Sequence, residues 1–201
     1  ATGNSACITN VLRMNISYNN FDMLEIGYGI NLRPLATMAE NIYGDDPCEF
    51  FKPKRLDENK FDPVDDSLAS KMNKAIAICQ FKVEGQRIMA HPEYHMENRL
   101  LLDKIDLSQG SVTIDGISYP MKDKIDFEKG TVQLRDGEFP LRDTNFPTID
   151  PEHPYELTKE ERDVLNALEA SFLQSEKLQK HIRFLYSHGA LYTVINGNLM
   201  Y

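Results

Sequence analysis

The chain has 201 residues, of which 41% are hydrophobic and 26% charged, and its formal net charge is −9 at pH 7. This acidic balance argues against a nucleic-acid-binding surface and against binding to an anionic membrane. No apolar run approaches the roughly 18 residues that a membrane span needs. The three cysteines form no CxxC pair, and such a sparse, odd set fits a reducing cytosol better than a disulfide framework. We therefore expect a cytoplasmic protein.

The first 44 residues are expected to form a helical segment. Asn4 and Ser5 can cap a first helix over about residues 5–18. The stretch INLRPLATMAENIYG predicts a second helix, because its apolar residues recur at helical spacing and Gly44 follows as a stop. Residues 45–66 hold three prolines and many charges, so we expect a flexible, irregular loop there.

Residues 67–103 predict a long helix followed by a short one. Ser67 can cap the long helix, whose apolar residues follow the 3.6-residue period to about residue 90. The pair His91-Pro92 should end it, because the residue before a proline avoids helical backbone angles. The stretch EYHMENRLLLDKI predicts the short helix.

Residues 104–143 contain a tandem repeat. KIDLSQGSVTIDGISYPMKD is followed directly by KIDFEKGTVQLRDGEFPLRD, a period of 20 residues. Each copy predicts a β-hairpin around an Asp-Gly turn, at Asp115-Gly116 and at Asp136-Gly137. Two interpretations are open: a duplicated surface hairpin, or a β-rich edge that binds a partner.

The remainder of the chain predicts a linker, a long helix and a last hairpin. Residues 144–158 are rich in proline and should form an extended linker. Thr158 with Glu161 forms a capping box that should begin a long helix within residues 159–189, which Gly189 ends. Over residues 190–201 two apolar runs flank Asn196-Gly197, a two-residue hairpin signal.

These elements predict an α+β fold that is mostly helical, with about five helices and small antiparallel β-hairpins in one compact domain. The chain opens without an initiator methionine and stops within the return strand of its last hairpin. We therefore expect an internal piece of a longer protein, and residues 190–201 to be a truncated hairpin.

Residue spacing alone predicts no catalytic residue and no metal site in this chain. His91 and His95 have the spacing of two ligands on one helical face, but Pro92 lies between them. His181 and His188 are expected to be structural, at the end of a helix where a cation is favourable. No Gly-x-Ser-x-Gly elbow, P-loop or GxGxxG motif is present.

Several longer phrases carry more information than any short motif. NRLLLDKIDLSQGS, RDTNFPTIDPEHPYELT and FLYSHGALYTVINGNLMY resemble the bacterial class III fructose-1,6-bisphosphatases, and the opening ATGNSACITNVLRMNISYNNFDMLEIGYGINLRPLA is similar to that family's segment after its Asn-His-Asp metal motif. The resemblance covers nearly the whole chain. The second hairpin copy departs from it, because we expect a single such unit.

The resemblance implies a place in the calcineurin-like metallophosphoesterases, whose two-metal centre hydrolyses a phosphate ester. The early metal motifs would precede Ala1, and a metal-ligand histidine would follow Tyr201. This chain would then be an insert segment between the third and fourth metal motifs, with no cofactor of its own. The parent enzyme would use a divalent metal, manganese by this resemblance, and would convert fructose 1,6-bisphosphate to fructose 6-phosphate and phosphate in gluconeogenesis.

The expected partners are the remainder of the parent phosphatase, a sugar bisphosphate, and a second copy in a homo-oligomer. A phosphate group is bound best by cationic side chains, and the predicted helices carry four candidates for substrate binding: Arg13, Arg33, Lys177 and Arg183. The alternative function is a free-standing helical module that binds a protein partner through its hairpins.

Overall fold

The structure is a computed structural model, and it describes residues 2–57, 60–100, 102, 105–106, 111–114, 117–120, 125–126, 129–134, 136–150 and 152–201. The predicted α+β class, mostly helical with small antiparallel sheets, is confirmed. The α-helices are α1 (Thr2–Ser17), α2 (Arg33–Tyr43), α3 (Ser67–Ala90), α4 (Lys159–Gln174) and α5 (Glu176–His188). A π-helix spans Met23–Gly27, and 3₁₀ turns span Glu49–Phe51, Pro92–Tyr94 and Glu97–Arg99.

The core forms where α1 and α2 pack on α3 while α4 packs on α1 and α2. α2 and α4 each turn one apolar face inwards, whereas α3 is buried at successive positions along its middle. Leu12 and Ile16 of α1, Leu35 of α2 and Leu168 of α4 are fully buried there. Replacing such a side chain by alanine should lower the free energy of unfolding by about 2–5 kcal/mol.

The start of α3 and the segment after it differ from the sequence prediction. Asp66, not Ser67, caps α3, because its side chain accepts a hydrogen bond from the Ala69 amide at 2.9 Å. The end at His91 agrees with the prediction. The predicted short helix after it is wrong: two separate 3₁₀ turns stand there, and His95, with a left-handed φ of 52°, interrupts the run between them.

The predicted loop at 45–66 is more regular than expected. After a 3₁₀ turn, β1 (Lys54–Asp57) pairs antiparallel with β2 (Lys60–Pro63). The two strands need only their own backbone groups for this ladder, so the charged residues between the prolines do not prevent it. The flexibility of the segment stays a prediction.

Each copy of the repeat forms a small antiparallel sheet of three strands, one more than predicted. The strand order is β3-β4-β5 in the first copy and β6-β7-β8 in the second. The six strands, in chain order, are Ile105–Asp106, Ser111–Ile114, Ile117–Pro120, Ile125–Asp126, Thr131–Leu134 and Gly137–Pro140. The repeat period therefore covers a short entry strand as well as a hairpin.

The turn of the second copy is displaced from its predicted place. Leu134 pairs with Gly137, so Gly137 is the first residue of the return strand and not part of the turn. Position 137 has a φ of +142°, a conformation that favours glycine. The predicted Asp136-Gly137 turn is therefore wrong by one residue, and the predicted Asp115-Gly116 turn lies outside the described residues.

The predicted long helix at 159–189 is two helices with a break at Ser175. The Thr158–Glu161 capping box begins α4 as predicted, and Gly189 caps the end of α5. Ser175 has a ψ of 100°, which ends α4, and its hydroxyl then accepts a hydrogen bond from the Leu178 amide and so caps α5. The sequence between 159 and 188 has no proline or glycine to announce this break.

The last hairpin matches its prediction closely. Asn196 and Gly197 both have positive φ values, 52° and 78°. Strand β9 (Thr193–Ile195) pairs with β10 (Asn198–Met200), with Ile195 opposite Asn198. All six strand residues are exposed, so the hairpin does not pack on α4 or α5. In the part of the chain that the structure describes, no helix is both long and apolar enough to span a membrane.

Candidate functional site

A contact between the π-helix and the break at Ser175 brings together residues that are far apart in sequence. Tyr28 follows the π-helix directly, and Gly29, with a φ of +67°, turns the chain away immediately after it. Such π-helical turns frequently occur at functional sites. We call the set Tyr28, Ser171, Ser175, Lys177 and His181 the Tyr28 junction.

Backbone hydrogen bonds fix the Tyr28 junction in place. The Ser175 hydroxyl donates to the Tyr28 carbonyl at 2.5 Å, and the Ser171 hydroxyl accepts from the Asn31 amide at 2.8 Å. Ser175 is buried with 7% exposure, and its hydroxyl serves both the Leu178 amide at the start of α5 and the Tyr28 carbonyl at the end of the π-helix. The helix break and the π-helix are therefore one structural feature.

Three functional groups meet at this junction. The Tyr28 hydroxyl lies 3.3 Å from His181 Nδ1, with the two rings edge to face at a centroid distance of 5.8 Å. The Lys177 ammonium lies 5.3 Å from the centre of the Tyr28 ring, a cation–π arrangement. Lys177 and His181 are four residues apart on α5, so their side chains leave the same side of the helix.

The four cations predicted to bind substrate do not come together. Lys177 belongs to the Tyr28 junction. Arg183 lies two residues beyond His181, about 200° further around α5. Arg13 lies on α1 with its Nε buried and without a hydrogen-bond partner in the described structure. The roles of all four in substrate binding stay predictions.

Arg33 lines a shallow groove of about 330 Å³ between α2 and α4. Glu160 and Asp163 of α4 line the same groove. Two carboxylates beside one guanidinium make the groove unfavourable for a phosphate, because the anion would be repelled twice for each attraction. Arg33 is therefore a weaker candidate for phosphate binding than Lys177.

Two buried lysines on α3 escaped the sequence prediction. Lys74 is fully buried, and its ammonium lies 2.7 Å from an Asp46 oxygen and 2.8 Å from an Asp143 oxygen. The rings of Tyr43 and Phe146 lie over the same ammonium at 4.9 and 4.8 Å. Two carboxylates and aromatic faces together compensate for the cost of burying this charge.

The ion pair also changes the titration of Asp46. Burial by itself raises the pKa of this carboxyl, but hydrogen bonds from Lys74, from the Cys48 amide and from Asn145 outweigh it and bring the pKa to about 2. The charged form of Asp46 is thus the form that the fold favours.

Lys82, two turns further along α3, is also fully buried. Its ammonium lies 2.7 Å from a Glu161 oxygen and donates to the Thr148 carbonyl at 2.5 Å. Glu161 at the same time accepts from the Thr158 amide in the capping box of α4. Lys82 therefore joins α3 to the first turn of α4.

Together the two lysines hold the predicted linker against α3. Asp143 meets Lys74, the Thr148 carbonyl meets Lys82, and the Tyr155 carbonyl accepts from the Gln86 side chain at 2.6 Å. These three contacts follow α3 in the same direction along its length. The linker contains tight turns, such as the Ile149 amide bonded to the Phe146 carbonyl, so the prediction of an extended linker is wrong in its geometry.

The histidines that were weighed as metal ligands have other contacts. His91 Nδ1 lies 2.7 Å from Glu93, and its ring stacks on Tyr94 at 4.8 Å. His188 stacks on Phe184 at 4.4 Å. Within the described ranges, no group of three or more His, Cys, Asp or Glu side chains could hold a metal ion. The donor set of the described residues therefore does not fit a two-metal centre.

The chain is similar over its whole length to known bacterial enzymes. A fructose-1,6-bisphosphatase class 3 of Clostridium tetani (strain Massachusetts / E88) is 51% identical over all 201 residues, and one of Clostridium botulinum (strain Langeland / NCTC 10281 / Type F) is 49% identical. One of Clostridium novyi (strain NT) is 47% identical. In each case the match covers 100% of this chain and 27% of the relative's length. No solved structure matches the chain significantly.

A family model described as Firmicute fructose-1,6-bisphosphatase matches the chain in two stretches, residues 1–124 and 121–201. The two stretches meet where the first copy of the repeat gives way to the second. Because the matches together cover every residue, and because the relatives match from end to end of the chain, the chain belongs to the Firmicute fructose-1,6-bisphosphatase family.

Proposed function

We propose that the protein to which these residues belong hydrolyses fructose 1,6-bisphosphate to fructose 6-phosphate and phosphate, and that it uses a divalent metal, manganese, to do so. The carrying observation is the 51% identity over the full chain to a protein named fructose-1,6-bisphosphatase class 3. Gluconeogenesis and a cytoplasmic location follow from this activity as further parts of the proposal. Since the chain spans 27% of the relatives' length, the metal ligands are assigned to the remaining polypeptide.

The described residues would then form a wall of the substrate site and a surface on which the remaining polypeptide docks, and they would not form the reaction centre. The C-terminal part of the chain supports this division. Tyr186, Leu191 and Tyr201 are 87%, 95% and 100% exposed, and both strands of the last hairpin lack a further neighbour in the described structure. A two-stranded hairpin is marginally stable alone and its free edges accept another strand.

We infer that the remaining polypeptide of the parent phosphatase covers the last hairpin and the exposed apolar side chains at the C-terminal end of α5. A second copy of the chain is the competing occupant, and it would make the protein a homo-oligomer. The alternative function, a free-standing module that binds a protein partner, rests on the same exposed apolar side chains. The identity to the phosphatases favours the first occupant.

The test compares the full-length polypeptide with the 201-residue chain. Each is stripped of metal with a chelator, supplied with manganese, and assayed for phosphate release from fructose 1,6-bisphosphate. We expect release by the full-length polypeptide only, and its loss when the chelator is restored. Full-length polypeptide that releases no phosphate with any divalent metal would contradict the activity, and release by the 201-residue chain alone would contradict the division of labour.

A further inference from the structure

The strongest unassigned feature is the unpaired charge on α5. The chain as a whole carries a net charge of −9, yet α5 contains Lys177, Lys180 and Arg183 against a single acidic residue, Glu176. Within the described part of the chain, none of these three cations forms an ion pair. By contrast, Lys74 and Lys82 of α3 are both paired with carboxylates.

The Tyr28 junction holds one of these cations in a defined position. The Lys177 ammonium lies over the face of the Tyr28 ring, a contact that uses the ring quadrupole and leaves the N–H groups free to donate. The Ser175 hydrogen bond holds the Tyr28 backbone at its carbonyl, and the hydroxyl of the ring contacts His181 Nδ1. A cation held in this way loses less conformational entropy when it binds an anion than a free surface lysine does.

The same junction supplies one neutral donor beside the cation. When the Tyr28 hydroxyl donates to His181 Nδ1, the neutral imidazole carries its proton on Nε2 and can donate from there. Among the described residues, no hydrogen bond occupies His181 Nε2. An ammonium beside an imidazole N–H is a donor set that suits the oxygen atoms of a phosphoryl group.

We propose that Lys177 and His181, the latter oriented by the Tyr28 hydroxyl, bind a phosphoryl group of the sugar bisphosphate. The identity of the ligand rests on the proposed function, whereas the site itself rests on the geometry of the junction. This site binds substrate and takes no part in the bond-breaking step. Among the four candidate cations, Lys177 is therefore the one that we assign to phosphate binding.

The first experiment measures kinetics in the full-length polypeptide. A charge-assisted hydrogen bond is worth about 1.5–3 kcal/mol, so Lys177→Gln should raise KM for fructose 1,6-bisphosphate at least about tenfold and leave kcat nearly unchanged. His181→Gln should act in the same direction, and Lys177→Arg should restore part of the affinity. Lys180→Gln is the matched control, since it removes one charge from the same helix at a residue that does not contact Tyr28.

The second experiment measures binding without catalysis. Inorganic phosphate is titrated into the 201-residue chain while the His181 ring resonances are followed by NMR, with circular dichroism at 222 nm confirming that each variant keeps its helices. We expect saturable shifts in the unsubstituted chain and in Lys180→Gln, and none in Lys177→Gln.

The outcomes separate the two proposals. An unchanged KM in Lys177→Gln, or an equal rise in Lys180→Gln, overturns the site even if the enzyme is an active phosphatase. If the full-length polypeptide does not hydrolyse fructose 1,6-bisphosphate, the proposed function fails, and the phosphate titration then decides the site. Absence of saturable shifts in the unsubstituted chain overturns it.

Discussion

The ion pair between Lys82 and Glu161 should be a sensitive point of the helical core. Both side chains are buried, at 0% and 2% exposure, with their charged atoms 2.7 Å apart. Glu161→Gln keeps the volume of the side chain and an oxygen for the Thr158 amide, but it removes the negative charge. The buried ammonium of Lys82 would then face only neutral acceptors.

Removal of one partner of a buried ion pair costs about 3–5 kcal/mol. Lys82 keeps its hydrogen bond to the Thr148 carbonyl, so we expect the lower end, about 3 kcal/mol in the free energy of unfolding. For a chain of this size that corresponds to a fall in Tm of roughly 6–12 °C. The double variant Lys82→Met/Glu161→Gln should lose less than the sum of the single variants, because neither charge is then left alone.

Urea unfolding at pH 7, followed by circular dichroism, measures these differences. Glu160→Gln is the matched control: it makes the same chemical change at the neighbouring, exposed position, and should stay within about 0.5 kcal/mol of the unsubstituted chain. A loss below about 1 kcal/mol in Glu161→Gln, or strictly additive single and double variants, would refute the buried pair as a connection between α3 and α4.

Three further predictions follow from single contacts. The pKa of Asp46 is lowered from its ordinary 3.8 to about 2. Its pair with Lys74 therefore stabilises the fold above pH 3.8, and this stabilisation is lost as the pH falls to 2. Asp46→Asn should flatten the acid-unfolding curve between these two pH values, and an unchanged curve would contradict the prediction. Gly85→Ala would place a Cβ in overlap with ring atoms of Tyr155. Calorimetry should therefore show a fall in Tm that corresponds to a loss of about 1–3 kcal/mol in the free energy of unfolding, and an unchanged Tm would contradict this. Hydrogen exchange at Val194 should be fast in the 201-residue chain and slow in the full-length polypeptide; equal rates would show that the hairpin gains no strand partner there.

Local signals predicted the elements whose ends are set by their own side chains. The Thr158–Glu161 capping box and the Asn196-Gly197 turn were both predicted from sequence, because the residues that form each feature lie within a few positions of one another. The break at Ser175 depends on the Tyr28 carbonyl, 147 residues away along the chain. Nothing within α4 and α5 could have indicated that partner, so the pattern predicted one continuous helix.

The buried lysines show how a usable signal was overlooked. Lys74 is followed by the apolar run AIAIC in the middle of α3. A helix that is apolar on successive positions is surrounded by protein on several sides, and a lysine within such a run must have a buried partner. The prediction used only the apolar residues of α3 and their 3.6-residue period, and it made no statement about the lysines. The identity of the partners, Asp46 and Asp143, needed the tertiary structure.

The same reasoning explains why residue type alone gave four equivalent cations for phosphate binding. A lysine or arginine on a helix binds an anion well when its position is fixed and when no carboxylate already neutralises it. Sequence supplies neither condition. In the structure, Lys74 and Lys82 of α3 meet the first condition and fail the second, and Arg33 lies in a groove beside two carboxylates. Lys177 meets both, because an aromatic ring rather than a carboxylate holds it. The contrast between Lys74 and Lys177 therefore separates a charge that stabilises the fold from a charge that is available to a ligand.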